Sequence, residues 1–490
     1  MIRFRPRRLS CDGSAALSLI ERGRVSNRSL RFIGCSSHVT RLQSVLLCGL
    51  AGAVLAFAYP RIFPTGVTLY DPARAYNTFV FFGTQDDGLG QSYLIDMNGN
   101  EVHQWPQGGS PPLLLNPAVT GGKTGHVLVQ LSTIDPAPGD ATPVRPAIFR
   151  NKTIGELDWD GHVVWQWGSE APGGAARQHH DLHRLPNGNT LLLSNMIHPI
   201  PGFTLPKITD DAIYEVNARG EIVWRWLASE HLQEFGFTPE ELKLVRQTKD
   251  PDYLHMNDMT PLGPNQWFTQ GDQRFDPENI MVGSRNANFI LIIEKKTGHV
   301  VWRLGPDYPA RSASRQKFPQ PVDQIVGQHD PHLIAPGLPG EGNLLLFDNQ
   351  GEAGYPPAAM QTIGGSRILE IDPVNKQIVW AYTGLDSDRA AWTFHSSFIS
   401  NAERLPNGNT FIDEGMNGRF FQVTPAGEIV WEYINPHFTH TNLGGGRSLT
   451  NAVYRAQPVP YNWIPEGTPH SETAVVPPDI EKFRIPTQGK

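Results

Sequence analysis

The feature that most constrains this chain is a unit repeated six times along it. Half of the unit is a short β-prone segment, a turn rich in Gly or Asn, and a second segment carrying Val and an aromatic residue. It reads YLIDMNGNEVHQW (93–105), GELDWDGHVVWQW (155–167), IYEVNARGEIVWRW (213–226), LIIEKKTGHVVWRLG (291–305), ILEIDPVNKQIVWAY (368–382) and FFQVTPAGEIVWEY (420–433). The shared valine falls at Val102, Val164, Val223, Val301, Val379 and Val430. A further β-rich run precedes each copy: NTFVFFG (77–83), HVLVQLS (126–132), NTLLLSN (189–195), NQWFTQG (265–271), NLLLFDN (343–349) and NTFIDEG (409–415). Before four of these stands one more short segment, HDLHRLPNGN, NDMTPLGPN, HDPHLIAPG or SNAERLPNGN. The PNGN sequences at 186–189 and 406–409 are hairpin signals, because Asn-Gly accepts the positive φ that tight turns require.

Each unit therefore reads as four antiparallel strands in about 60 residues, and six such sheets in a ring make an all-β, six-bladed β-propeller. Ring closure buries both faces of every sheet against its neighbours and leaves no end sheet exposed. The Val and Trp of each last strand are expected to fill the wedge between blades. Composition agrees: Gly and Pro together number 90 of 490 residues, and the charged fraction is 18%, against about 25% in ordinary soluble domains. Coiled coils, disordered polyelectrolytes and polytopic membrane proteins are excluded. Two β-sandwiches in tandem are the other all-β arrangement, and six matched units argue against them.

Charge is distributed unevenly. Residues 1–41 carry nine Arg against Asp12 and Glu21, a net +7, and the rest of the chain carries 32 basic and 46 acidic residues, a net −14. An acidic body does not attract phosphate backbones, so nucleic acid is not an expected partner. Leu42 to Tyr59 is an uncharged apolar run, close to the ~20 residues that span a bilayer. Arginines ahead of it place that side in the cytoplasm and the body outside, in the periplasm of a cell with two membranes. The run ends in Ala56-Phe57-Ala58, a pattern that signal peptidase accepts, so an uncleaved inner-membrane anchor and a cleaved signal both stand. The division that follows is an Arg-rich N-terminus (1–41), an anchor or signal (42–60), a linker (61–76), the propeller (77–440) and a C-terminal segment that closes or caps it (441–490). The cysteines, Cys11, Cys35 and Cys48, all precede the body, which must be held by burial and ring closure without a disulfide.

In a propeller the innermost strands run the same way along the central channel, so whatever begins each of them gathers at one mouth. Here those starts are rich in histidine. His180 opens HDLHRL, His329 opens HDPHLI, and Asn257 holds the matching place in NDMTPL, with His255 two residues before it. Period-2 geometry puts His255 and Asn257 on one face of a strand. Blade six has Ser400 at that place, with His395 five residues earlier. His183 and His332, three residues on, are expected to face away from the channel against the next blade. Arg285 lies where blade four turns between strands, either as a solvated or stem-packed side chain or reaching back over His255 to form a fork for a tetrahedral oxyanion; Arg274, in the stretch 270–279, is a weaker rival. No metal site is expected, since no carboxylate or thiolate accompanies the histidines unless Asp181 or Asp330 turns inward. Imidazoles, an amide and a guanidinium suit transfer of an anionic group through histidine, a good nucleophile near neutral pH. No cofactor is called for.

At these residues the chain resembles the bacterial arylsulfate sulfotransferase family, exported six-bladed propellers that move a sulfuryl group between phenols without a nucleotide donor. The resemblance covers about residues 65–465. It rests on the LPNGNT and G-x-V-V-W units, His255-x-Asn257, SRNANF around Arg285, and Gly327-Gln328-His329. It implies aryl sulfates and phenols as partners and a ping-pong route. His329 would take the sulfuryl group, His255 and Asn257 would hold its oxygens and assist proton transfer, Arg285 would bind the same oxygens, and His180 would complete the site. The middle residue of His-x-Asn is Met256, where well-known members carry a small hydroxyl residue. Two other functions compete: a non-catalytic membrane-anchored propeller that scaffolds or binds a ligand, and a metal-dependent hydrolase or lyase on the same ring.

Overall fold

The computed structural model describes residues 64–477, except 86–88, 135–149, 307–324, 356, 359, 361–362 and 443–446. The Arg-rich N-terminus and the apolar run 42–60 lie outside the described residues. Among the described residues no helix is long and apolar enough to cross a membrane.

Six antiparallel sheets form the blades, each with its innermost strand first in spatial order. Blade 2 is Leu113–Leu114, Val127–Thr133, Asn151–Leu157 and Val163–Trp167. Blade 3 is Gln178–Arg184, Thr190–His198, Ile208–Val216 and Ile222–Leu227. Blade 4 is Met256–Pro261, Ile280–Ser284, Phe289–Ile293 and Val300–Leu304. Blade 5 is His329–Leu333, Leu344–Asp348, Arg367–Asp372 and Gln377–Tyr382. Blade 6 is Asn401–Arg404, Thr410–Glu414, Arg419–Val423 and Ile429–Ile434. Blade 1 is assembled from both ends of the propeller. Phe79–Thr84, Ser92–Ile95 and Glu101–Trp105 supply three strands, and Val453–Val459 pairs with Phe79–Thr84 as the innermost one. Gly66–Tyr70, within the expected linker, pairs with Ile429–Ile434 as a fifth, outer strand of blade 6. The ring is thus latched twice, and the propeller extends beyond 77–440 at both ends.

Neighbouring blades pack through apolar strands. Leu191, Leu193 and Ile213 of blade 3 form one buried cluster with Met259, Ile280, Val282, Phe289 and Leu291 of blade 4. A polar tie accompanies every interface. At least one indole N–H per blade donates to a backbone carbonyl in the outer turn of the next blade. Trp105 reaches Asp158, Trp167 reaches Gly220, Trp226 reaches Gly298, Trp302 reaches Pro373, Trp380 reaches Pro425 and Trp431 returns to Met97, at 2.8–3.1 Å. In blades 1–3 this Trp stands three residues after the shared Val, in blades 4–6 one residue after it. Both offsets fall on the strand face opposite the Val. The expectation that the valines fill the wedge holds only in part: Val164, Val223 and Val379 are exposed, whereas Val430 is buried and Val102 and Val301 pack half-buried against apolar clusters.

The sequence also misplaces one strand. NQWFTQG is not the second strand of blade 4, because Gln266–Thr269 is a short helix capped by Asn265, whose side chain accepts the Phe268 N–H. The strand at that position is Ile280–Ser284.

Trp431 is fully buried and its N–H closes the circle of ties. Trp431→Ala is expected to lower stability by about 3–5 kcal/mol, and Trp431→Phe, which removes the donor while keeping an aromatic ring, by about 1–2 kcal/mol. Val164→Thr should stay within about 0.5 kcal/mol of wild type. Urea unfolding of the full chain measures all three; equal effects of the tryptophan and valine changes would contradict this account of the interfaces.

Candidate functional site at the channel mouth

The innermost strands of blades 3 to 5 do not begin as regular strands. Each is bulged near its start, opposite Leu192/Ser194 in blade 3, between Met256 and Asp258 in blade 4, and between His329 and His332 in blade 5. His180, His255, Asp330, Ile399 and Ser400 have φ between 51° and 91°, left-handed conformations that cost a non-glycine residue of order 1–3 kcal/mol each. Bulges and such residues re-aim side chains, which is why they concentrate at functional sites. The simple alternation expected for His255-x-Asn257 is interrupted here.

The histidines converge. The His180 and His255 rings meet edge to face with centroids 4.6 Å apart. Tyr454, on the closing strand, lies 5.5 Å from the His180 ring and 6.1 Å from the His329 ring. The backbone N–H of Arg285 donates to the His255 carbonyl at 3.2 Å, binding the blade-4 turn to the inner strand's start. His180 sits well below the ordinary imidazole pKa, by burial first and then by the nearby His255, His179, His329 and Arg285.

Individual environments differ. His255 donates Nδ1–H to Asp252 Oδ2 at 2.7 Å, and its side chain is 21% exposed. His179 and His180 share a proton between their Nδ1 atoms at 2.6 Å. His329 is 2% exposed. It donates Nδ1–H to Asn349 Oδ1 at 2.8 Å, and its Nε2 accepts the Ile399 N–H at 3.0 Å. Asn257 is fully buried; its amide donates to the Gln328 carbonyl at 2.6 Å, and its own carbonyl accepts the Tyr454 hydroxyl at 3.2 Å. Asn257 thereby holds the backbone immediately before His329.

Arg285 is 83% buried yet thinly partnered. Its terminal nitrogens meet Asn286 Oδ1 at 3.4 Å and the largely exposed Glu352 at 3.9 Å, while its buried Nε has no hydrogen-bond partner. Burial lowers its pKa, opposed by Glu352, Asp252 and Tyr454. Arg274 is bound to Asp272 by a bidentate pair on its own 3-10 turn and is not among the groups acting on these histidines.

Below the histidines lies a charge hub that sequence reasoning missed. Arg455 pairs with Asp181, Asp258 and Asp330 at 3.1, 3.2 and 3.2 Å. Each aspartate directly follows the repeat-matched residue of its blade, so the signal was a recurring x-Asp. Burial works to raise Asp181, but Arg455 and His183 overcome it and hold the carboxyl below its usual range. Burial and then Asp181 push Asp258 well above it. Beyond the hub a cavity of about 250 Å³ is lined from all six innermost strands, including Leu113, His183, Thr260, His332, Glu403 and Gln457. His183 and His332 therefore face the channel rather than the next blade, each beside the aspartate two residues before it.

The inward turn of Asp181 and Asp330 serves Arg455. Among the described residues, the groupings able to hold a metal ion are His231–Glu234–His299 and Asp158–Asp160–His162, and neither includes a channel histidine.

Similarity to solved structures is broad and distant. A protein of unknown function from Bacteroides caccae is 12% identical, with 78% of this chain and 99% of that one covered at a TM-score of 0.42. A streptogramin B lyase is 13% identical over 81% and 94%, at 0.34. The Dos1 propeller is 9% identical over 76% and 75%, also at 0.34. No curated protein sequence matches. The profile of the Arylsulfotransferase (ASST) family matches residues 123–453, well over half of the 490 and spanning His180, His255, Arg285 and His329, and the chain belongs to that family.

Proposed function

We propose that this chain is an aryl sulfotransferase that passes a sulfuryl group from an aryl sulfate to a phenol by way of a histidine. The observation that carries the reading is the convergence of three imidazoles beside a buried guanidinium whose Nε lacks a partner. An anionic tetrahedral group satisfies such a cation, and positioning with charge stabilisation is most of what the reaction needs.

In the first half-reaction Nε2 of His329 attacks sulfur, the S–O bond to the aryl group breaks, and the phenolate takes the Nε2 proton of His255, which enters the step as the imidazolium and keeps its Nδ1–H on Asp252. The sulfated ring keeps its Nδ1–H on Asn349, whose oxygen supports the positive imidazole. In the second, His255 takes the acceptor phenol's proton, the phenolate attacks sulfur, and the electron pair returns to Nε2. Asp252 orients His255 throughout. Attack requires the Ile399 N–H to leave Nε2 first; the same donor then lies beside the incoming sulfuryl oxygens. Arg285 supports those oxygens, and Asn257 acts through the Gln328 carbonyl. His180, neutral through burial, fills the space beside His255.

A second reading, a propeller that binds or scaffolds without catalysis, is favoured by one observation: His329 is almost fully buried with both ring nitrogens engaged. Purified full-length protein incubated with 4-nitrophenyl sulfate, with and without phenol, separates the two. Expected are acceptor-dependent nitrophenol release, a sulfuryl mass on the His329 peptide, a loss of at least about 10³-fold in His329→Ala, and a loss of about 10²–10³-fold in Arg285→Gln. The mass on the His255 peptide instead moves the carrier role to the Asp252-backed imidazole, and no release from any aryl sulfate leaves the binding module.

The burial that keeps His329 neutral also links it to stability. Burial lowers its pKa to about 3 against the Asn349 hydrogen bond, with Arg285, His255 and Arg455 adding to the lowering. The unfolded imidazole titrates near 6.5. Its contribution is therefore complete above about pH 6.5 and is lost as pH falls toward 3, by at most about 1.4 kcal/mol per pH unit. Asp258 and Asp413, raised by burial, act in the opposite direction, so the difference between proteins is the readout. Urea unfolding at pH 7 and pH 5 should show wild type losing more stability than His329→Gln; parallel losses would refute the assignment.

The propeller's proposed location is outside the cytoplasmic membrane, tethered or released at residues 42–60, supported by the Arg-rich segment ahead of that apolar run. Protease added to intact spheroplasts should digest the propeller or find it already in the periplasmic fraction. Full protection within the cytosol would contradict this placement.

A further inference from the structure

The connection from blade 3 to blade 4, residues 228–255, is the segment that delivers Asp252 and His255 to the channel mouth. It begins with the 3-10 turn Ala228–His231 and includes the helix Pro239–Arg246. Between them it meets the outer hairpin of blade 4 at a cluster of nitrogen and oxygen donors. His231 Nδ1 lies 2.9 Å and His299 Nδ1 3.2 Å from the same carboxylate oxygen, Oε1 of Glu234. The other oxygen accepts the Val300 N–H at 2.8 Å, which fixes the carboxylate's orientation. The His231 ring is fixed too, stacked on Trp226 at 5.0 Å and 11°, and Trp226 is itself tied to Gly298, next to His299. One donor atom from each of His231, Glu234 and His299 lies within 4.8 Å of the others.

Two imidazoles and a carboxylate around one point, with an open side, are the donor set of a tetrahedral zinc-class site with a water in fourth place. His299 is 68% exposed on its side chain, leaving the fourth position open to solvent. We propose that His231, Glu234 and His299 bind a first-row divalent cation, zinc above all, which clips the 228–255 connection to the outer hairpin of blade 4. On binding, each ring carries its proton on Nε2 and offers the Nδ1 lone pair to the metal. The Glu234–Val300 hydrogen bond remains as the orienting outer contact.

The test uses tag-free, full-length protein stripped with chelator, titrated with zinc chloride by calorimetry and with cobalt(II) by visible absorption. His299→Ala removes an exposed ligand without disturbing packing, and Glu234→Gln keeps the Val300 contact while removing the charge. Wild type should bind one zinc at this site, show the d–d bands of four-coordinate cobalt, and gain thermal stability on loading. Both variants should weaken that binding by at least about tenfold, a loss that even outer contacts produce, and lose the thermal gain. Zinc retained equally by His299→Ala, or no zinc binding by wild type up to about 100 µM, far weaker than built sites, would overturn the proposal. Neither result depends on sulfuryl transfer.

Discussion

The structure depends on the circle of indole N–H groups that joins each blade to the next. A four-stranded sheet cannot bury both faces alone, and apolar contact between sheets is tolerant of sliding. Each indole adds a directional bond from an outer strand to the next blade's outer turn, and at Trp302 and Trp431 it is a buried donor that must find its acceptor. The circle has no free end, since Trp431 of blade 6 reaches Met97 of blade 1. Strand pairing closes the same interface: Val453–Val459 enters blade 1 from the C-terminal side, and Gly66–Tyr70 enters blade 6 from the N-terminal side. Register around the ring is what lets His180 and His329, 149 positions apart in sequence, act electrostatically on one another.

That register was legible because the repeat is strong. The turn residues, the paired β-rich runs and the matched histidines are local patterns, and all but the run NQWFTQG point to an element of the expected type. Contacts made once, outside the repeat, were not legible. Tyr454 and Arg455 lie in a tail with no copy elsewhere, and only strand exchange brings them to the channel axis. Asp252 lies at the end of an irregular connection whose course no periodicity describes. The helix at Gln266–Thr269 replaced an expected strand because Asn265 caps it and Trp267 donates to the Gly342 carbonyl of blade 5, a tertiary contact invisible to propensity. The shared valines of blades 2, 3 and 5 mark the outward face of the last strand rather than the wedge, since alternation assigns the buried face to the tryptophans one or three residues on.

The two arginines of the channel differ in how far their charge is met. Arg455 is surrounded by three carboxylates, and its charge is more than balanced. Mutual repulsion is relieved by the raised pKa of Asp258 and Asp330, for which burial is the largest cause. Nothing in that hub calls for an additional anion. Arg285 makes no ion pair with a buried carboxylate, and Asp252, bound to His255, acts on it only from beyond ion-pair distance. Its nearest acidic oxygen is 3.9 Å away on an exposed glutamate. Its imidazole neighbours His180 and His329 are driven toward the neutral form. A buried cation among neutral rings is costly unless an anion shares the space, and the hub beneath already consumes the channel's aspartates. A monoanionic ester entering beside Arg285 would add to the countercharge that Glu352 and Asp252 supply while leaving the hub of Asp181, Asp258 and Asp330 untouched. Under the proposed function, substrate binding and blade packing would therefore draw on separate charges within one channel.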